Sequence, residues 1–151
     1  MEKFKGTIMV ALLCFMLTGC NNAYAKNEYD AEEKIAKNDR YAKQMSVLNP
    51  IEGGYSLEVT SFDGRETICT KSFDEEQDID VEVKLTLSEG TAKLVHVDED
   101  GTVTTICEST SENAMDEYEM KTVRVRQGKN RFKIVGYDCK DLDLKLTSPA
   151  F

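Results

Sequence analysis

Apolar residues occupy every second position from Ile79 to Leu87: Ile79, Val81, Val83, Leu85 and Leu87 alternate with Asp80, Glu82, Lys84 and Thr86. A period of two marks a strand with one buried and one wet face. Leu142, Leu144 and Leu146 repeat it against Asp141, Asp143 and Lys145 near the carboxyl end. Segments 55–62, 66–73, 93–97, 102–107, 119–126 and 131–137 are rich in Val, Thr, Ile or aromatic residues, as strands are. Asp63-Gly64, Glu89-Gly90, Asp100-Gly101 and Gly128-Lys129-Asn130 fall between such runs, where hairpin turns belong. One longer connection, Ser109 to Tyr118, is polar, and no helical period intervenes. The pattern predicts an all-β domain over 51–151, an antiparallel β-sandwich of about eight strands. A closed barrel satisfies the same periodicity.

Upstream of Asn49-Pro50 the alternation fades. The stretch from Lys26 to Val47 is rich in Lys, Glu, Asp, Asn and Ala, and Tyr29, Ile35, Tyr41 and Met45 form only a thin apolar stripe. Residues 20–50 therefore read as a helical or disordered tether, with Gly53-Gly54 opening the folded domain.

The amino end has a different character. Lys3 and Lys5 precede an uncharged run, Gly6 to Gly19, whose centre from Ile8 to Leu17 is apolar throughout. As a helix it spans roughly 21 Å, short of the roughly 30 Å hydrocarbon core, which suits a cleaved signal better than a permanent span. It ends in Leu17-Thr18-Gly19-Cys20. This quartet resembles the lipobox of bacterial lipoproteins. The resemblance implies a signal peptide over residues 1–19, cleavage between Gly19 and Cys20, and a diacylglyceryl lipid on Cys20. It places the protein on the outer face of the bacterial cytoplasmic membrane, with the bilayer as a partner through that lipid. A rival cut after Ala23-Tyr24-Ala25, an A-x-A pattern, would release a soluble protein lacking Cys20. The domain itself, from the alternating Val-Lys-Leu strand to Gly128-Lys129-Asn130-Arg131-Phe132, resembles small β-sandwich lipoproteins of Gram-positive bacteria, a likeness that carries over no activity.

Charge narrows the partners. The net charge is -9, and loss of Glu2, Lys3 and Lys5 with the signal makes it one unit more negative. Such a surface argues against nucleic acid, which calls for clustered Lys and Arg. It also leaves attachment to the acyl chains rather than to anionic headgroups.

Chemistry is sparse. Cys69, Cys107 and Cys139 allow at most one disulfide with a thiol left over, and no CxxC or zinc-knuckle spacing occurs. His96 is the single histidine, without a local thiol or acid to make a nucleophilic pair. A G-x-S-x-G elbow and a Gly-rich phosphate loop are both absent. The acidic runs Asp74-Glu75-Glu76-Gln77-Asp78 and Asp98-Glu99-Asp100-Gly101 are too short for an EF-hand. No metal, no cofactor and no catalysis are expected.

Arg124, Arg126, Lys129, Arg131 and Lys133 concentrate positive charge in one hairpin of an acidic chain. They are a candidate polyanion-binding stripe, against the plainer reading of cross-strand pairing with acids. The expected function is that of a membrane-anchored, non-catalytic binding or interaction module for an unidentified surface protein. The alternative is a module for carbohydrate or cell-wall polymer. Replacing Cys20 by Ala should abolish membrane association; a Cys20→Ala protein that still fractionates with membranes would refute the lipobox reading.

Overall fold

A computed structural model describes residues 23–151; the expected signal peptide and Cys20 lie outside them. Two short helices, α1 (Ala23–Asn27) and α2 (Glu32–Lys37), precede seven strands: β1 (Arg40–Ile51), β2 (Gly54–Phe73), β3 (Gln77–Thr86), β4 (Glu89–Val97), β5 (Val103–Thr110), β6 (Met115–Val125) and β7 (Gly128–Thr147). All pairings are antiparallel.

The sheet is folded across a crease. β2 and β7 pair along almost their whole length. On the far side of β7, β3 runs beside residues 143–147 and β4 beside residues 131–140. β6 then flanks β3, and β5 flanks β4. One half thus reads β1-β2-β7-β3-β6 and the other β2-β7-β4-β5. The register slips at Phe62/Gly64 in β2, beside Gly136–Cys139 of β7, marking the line where the halves turn toward each other.

Their inner faces make one core. Leu57, Val59, Val81, Val83, Leu85, Leu142, Leu144 and Leu146 from the first half meet Ile68, Leu94, Phe132 and Ile134 from the second. A fully buried aliphatic or Phe side chain contributes roughly 1.5–3 kcal/mol, so the alternating positions supply the main driving force. The result is an antiparallel β-sandwich with free edges at β1, β5 and β6, not a closed barrel.

The strand number differs from the expected eight for two reasons. Asp63-Gly64 is not a hairpin: β2 runs on through it, and so does β7 through residues 137–141. Gly64 has φ +114, and a Cβ there would lie 2.0 Å from the Arg40 carbonyl oxygen, so glycine lets β1 pass at the crease. Gly90 has φ +86 and answers it across the sheet, where a Cβ would meet the Asp138 carbonyl at 2.4 Å. Glycine therefore marks bends here as well as turns. The second reason is β1, which forms from residues 40–51 of the stretch expected to be a helical or disordered tether. The connection expected over 109–118 shrinks to residues 111–114, which cross from one half to the other.

The remaining part of that stretch, residues 23–39, is helical in two pieces and packs as an arm. Helices of this length are not stable alone. Tyr29 and Ile35 are buried against Val95, Val97 and Val135 on the outer face of the β4-side half, forming a second small core. Ile35 is fully buried. α2 has acids in its first turn and lysines in its last, which suits the helix dipole. The carbonyls at its end are taken by cations from the sheet. Lys133 Nζ donates to Ile35 O at 2.6 Å and Asn38 O at 3.0 Å, and pairs with Asp39 at 2.8 Å. Arg131 donates to Ala36 O, and Arg65 to Asn38 O and to Glu28.

Lys133 has 0% exposure. Burial pulls its pKa down, opposed by the hydrogen bond to Asp39. The Glu28 carboxyl accepts hydrogen bonds from Lys34 and Arg65, which hold it at about 2. Truncating Lys133 removes the cation from Ile35 O, Asn38 O and Asp39, of which Asn38 keeps Arg65 and Asp39 keeps Thr67, and leaves a void under the arm. Lys133→Ala should cost about 3 kcal/mol in urea unfolding, and a loss below about 0.5 kcal/mol would show that the arm does not depend on it.

Candidate functional site

Of the sandwich's two outer faces, one is covered by the arm and one is open. The open face belongs to the β1-β2-β7-β3-β6 half, and its rows follow from the register. Val47, Glu58, Asp143 and Thr86 lie side by side. The next row holds Asn49, Ser56, Lys145 and Lys84, with the Tyr118 ring 5.7 Å from Lys84 Nζ. The third holds Ile51, Gly54, Thr147, Glu82 and Met120.

Two like-charged pairs stand directly opposite each other here: Glu58 across from Asp143, and Lys84 across from Lys145. Such pairs are destabilising on a sheet surface, where opposite charges are the favourable arrangement. Among the described residues none of these four side chains has a hydrogen bond or an ion pair; Lys84 has only its contact with Tyr118. Tyr118 is 49% exposed and Met120 63%.

The relief of the face is shallow. A hollow of about 480 Å³ lies between Met45, Ser46, Val47, Glu58, Val59 and Asp143, and one of about 310 Å³ among Gly53, Glu82, Met120 and Thr147. The Ser46 hydroxyl, in the wall of the first, has no partner among the described residues. The face therefore offers unpaired carboxylates, unpaired ammonium groups, an amide, hydroxyls and an exposed aromatic ring, with no enclosed cavity.

The candidate polyanion residues are not brought together. Arg124 pairs with Glu76 and Asp78, and Arg126 with Glu76 and Asp98. Lys129 makes its contact through its backbone N–H, to Glu99. Arg131 and Lys133 point to the other outer face and hold the arm. The charges concentrated in sequence are thus divided between two faces, with acids or carbonyls on most of them.

The two acidic runs do meet, around a hollow of about 340 Å³ lined by Asp74, Glu75, Glu76, Glu99, Asp100 and Arg126. Arg124 and Arg126 offset part of this charge. Asp98 is occupied by the N–H groups of Asp100 and Thr102 in a local turn. Among the described residues no group of three His, Cys, Asp or Glu side chains is placed to hold a metal ion.

His96 is buried. Its Nε2 lies 2.8 Å from Asn130 Oδ1, its ring packs on Phe132, and burial lowers its pKa. Asn130 in turn bonds Arg126 and Gly128, so His96 braces the β6–β7 turn. Of the tyrosines at 55, 118 and 137, only Tyr118 is exposed; Tyr137 packs edge-on against Tyr29.

The open face is hard to find in sequence because its groups lie on five separate strands. The available signal is the polar phase of the alternation, Glu82-x-Lys84 on β3 and Asp143-x-Lys145 on β7. Those phases place like charges opposite each other only once the register is known.

No family model matches the chain, and no curated protein matches it. Solved structures do. It is similar to a carbohydrate-binding module, CBM6cm-2, of Cellvibrio mixtus lichenase 5A in complex with cellotriose, at 10% identity over 72% of this chain and 87% of that one, with a TM-score of 0.42. A point mutant of the family 29 carbohydrate-binding module CBM29-2 matches at 12% identity over 73% and 78%, TM-score 0.41. The C-terminal CBM6 of LamC from Zobellia galactanivorans matches at 14% identity over 73% and 99%, TM-score 0.40. At identities this low no residue correspondence follows.

Cys69, Cys107 and Cys139 are free and buried. Burial pushes the first two thiols up to about 11 and Cys139 to about 12. All three should resist iodoacetamide in the native protein at pH 8 and react after denaturation, as intact mass spectrometry would record. Labelling of any of them without denaturant would contradict their burial.

Proposed function

We propose that this protein is a lipid-anchored, non-catalytic module whose open face binds a hydroxyl-rich polysaccharide outside the cell. The observation that carries this reading is the pair of unneutralised like-charge rows beside Tyr118. A water-exposed sheet gains nothing by opposing Glu58 to Asp143 and Lys84 to Lys145. A ligand dense in hydroxyls satisfies both, since each hydroxyl donates to carboxylates and accepts from ammonium groups. Asn49, Ser56 and Thr147 extend the same capacity along the rows, and Tyr118 supplies a flat surface for a sugar ring. Because the face carries both signs of charge, a neutral glycan fits it better than a polyanion. The shallow, open hollows suit a chain lying across the strands rather than a small molecule engulfed in a cavity.

The anchoring half of the reading rests on Leu17-Thr18-Gly19-Cys20 and its resemblance to a lipobox. Two acyl chains on Cys20 would make attachment stable where a single chain would not, and would hold the face at the outer surface of the membrane.

Affinity electrophoresis through gels containing soluble β-glucans, mannans and xylans tests the binding half. The wild-type protein should be retarded by at least one of these. Tyr118→Ala should weaken that retention by roughly tenfold, the loss expected for one aromatic contact of about 1.4 kcal/mol. Glu58→Gln with Asp143→Asn should weaken it while leaving the fold intact. Equal mobility of wild type and variants in every glycan would overturn the reading.

A further inference from the structure

Five of the large apolar side chains left exposed among the described residues lie on one edge strand. They are Tyr41, Met45, Val47, Leu48 and Ile51 of β1. The others, Tyr118 and Met120, belong to β6 at the opposite edge. β1 alternates poorly because it is apolar on both of its faces: Val47 and Ile51 sit on the open face, while Leu48 lies in the row of Leu57 and Leu144. Edge strands in water are ordinarily blunted by charge rather than lined with apolar groups. At its middle the backbone kinks. Met45 has φ +48, an uncommon conformation for a residue with a side chain, and is 83% exposed, the most of any of these residues.

The position of this edge relative to the amino end gives it a meaning. The arm leads the chain back toward the start of β1: the Arg40 guanidinium lies 3.9 Å from the centre of the Tyr24 ring, and the Tyr24 hydroxyl reaches the Asp63 carbonyl at the crease. Asn21 and Asn22 are all that separate Cys20 from Ala23. At about 3.5 Å per residue, that is a reach of roughly 10 Å. A lipid on Cys20 therefore holds the crease end of β1 against the headgroups, because residues 23–39 are docked on the sandwich and are not free to extend as a spacer. Lys37 and Arg40, both exposed, stand at the same end, Arg40 also pairing with Glu28 at 3.7 Å.

We infer that the β1 edge lies on the lipid bilayer itself, with Met45 and its apolar neighbours in the headgroup–acyl boundary, so that the module is seated on the membrane edge-first. This inference rests on the lipid-anchor reading. A second copy of the chain fits the edge less well. Pro50 has no N–H to give a partner strand, and the kink at Met45 interrupts the run of donors before it. A bilayer needs no such register.

The test uses the full lipidated protein on vesicles of phosphatidylcholine and phosphatidylglycerol in roughly a 2:1 ratio. An NBD fluorophore is attached through Met45→Cys or, as a control at the far edge, through Thr122→Cys; the domain's own thiols are shielded by burial. Emission from position 45 should shift to the blue, and nitroxide-labelled lipid should quench it at least about twofold more than position 122. Mass spectrometry of the mature amino terminus separates the two ways of failing. If Cys20 carries its diacylglyceryl group yet positions 45 and 122 behave alike, the edge is not seated on the membrane and the anchor stands. If Cys20 carries no lipid, the anchor reading and this inference fall together. A blue shift at position 45 in a vesicle-free Cys20→Ser protein, lost on dilution, would assign the edge to a second copy and overturn the proposal.

Discussion

The ammonium group of Lys133 is the point on which the rest of the molecule turns. It sits in the outer face of a sheet, a place where lysine is normally wet, yet it is fully buried, ringed by the Ile35 and Asn38 carbonyls and the Asp39 carboxylate. An ammonium group without water needs several acceptors, and the sheet around it supplies apolar neighbours such as Val95 and Val135. The acceptors come from the arm. Burial alone would raise the Asp39 carboxyl, but hydrogen bonds from Lys133 and Thr67 hold it below its usual value. The end of α2 gains in turn, because the carbonyls a short helix leaves unsatisfied at its C-terminus find cationic donors. Arm and sheet are each incomplete without the other.

That dependence decides which surface is left for function. With residues 23–39 docked across the β4 side of the sandwich, one outer face becomes interior. The other, across the β1-β2-β7-β3-β6 half, stays exposed and carries the unpaired rows of Glu58 with Asp143 and Lys84 with Lys145. The basic side chains that look most like a ligand site in sequence, Arg131 and Lys133, are consumed in making the first face. The residues that do face solvent without partners are modest in sequence, single charges in the polar phase of two ordinary strands.

The legibility of the fold follows the same physics. Alternation from Ile79 to Leu87 and from Leu142 to Leu146 reports one buried face, and both segments are strands with those residues in the core. The crease is opaque because Gly64 and Gly90 serve a bend, and a glycine that lets another backbone pass looks in sequence like a glycine in a turn. β1 is opaque for a different reason. An edge strand with apolar groups on both faces has no period of two to read, and Arg40 to Ile51 passes for a spacer. The arm's helices are faintly visible in the spacing of Tyr29 and Ile35, but their docking depends on cations nearly a hundred residues away. The candidate site is invisible for want of register: neither Glu58 nor Asp143 is unusual until they are neighbours.

Arm, edge and open face together constrain how the module can be oriented. A docked arm converts the expected flexible standoff into a short connection, so an anchor at Cys20 would fix where the sandwich sits and also which part of it sits down. If the β1 edge is lowermost, the strands of the open half lie along the membrane and are stacked upward from it. The rows that cross them then run away from the bilayer, from Val47 and Ile51 at the bottom to Tyr118 and Met120 at the top. The unpaired carboxylates and ammonium groups occupy the middle of that climb. A polysaccharide meeting the face from outside would encounter Tyr118 first and the charged rows beneath it. The two apolar edges then differ in setting, because only β1 has the amino-terminal arm beside its first residue, through Tyr24 on Arg40.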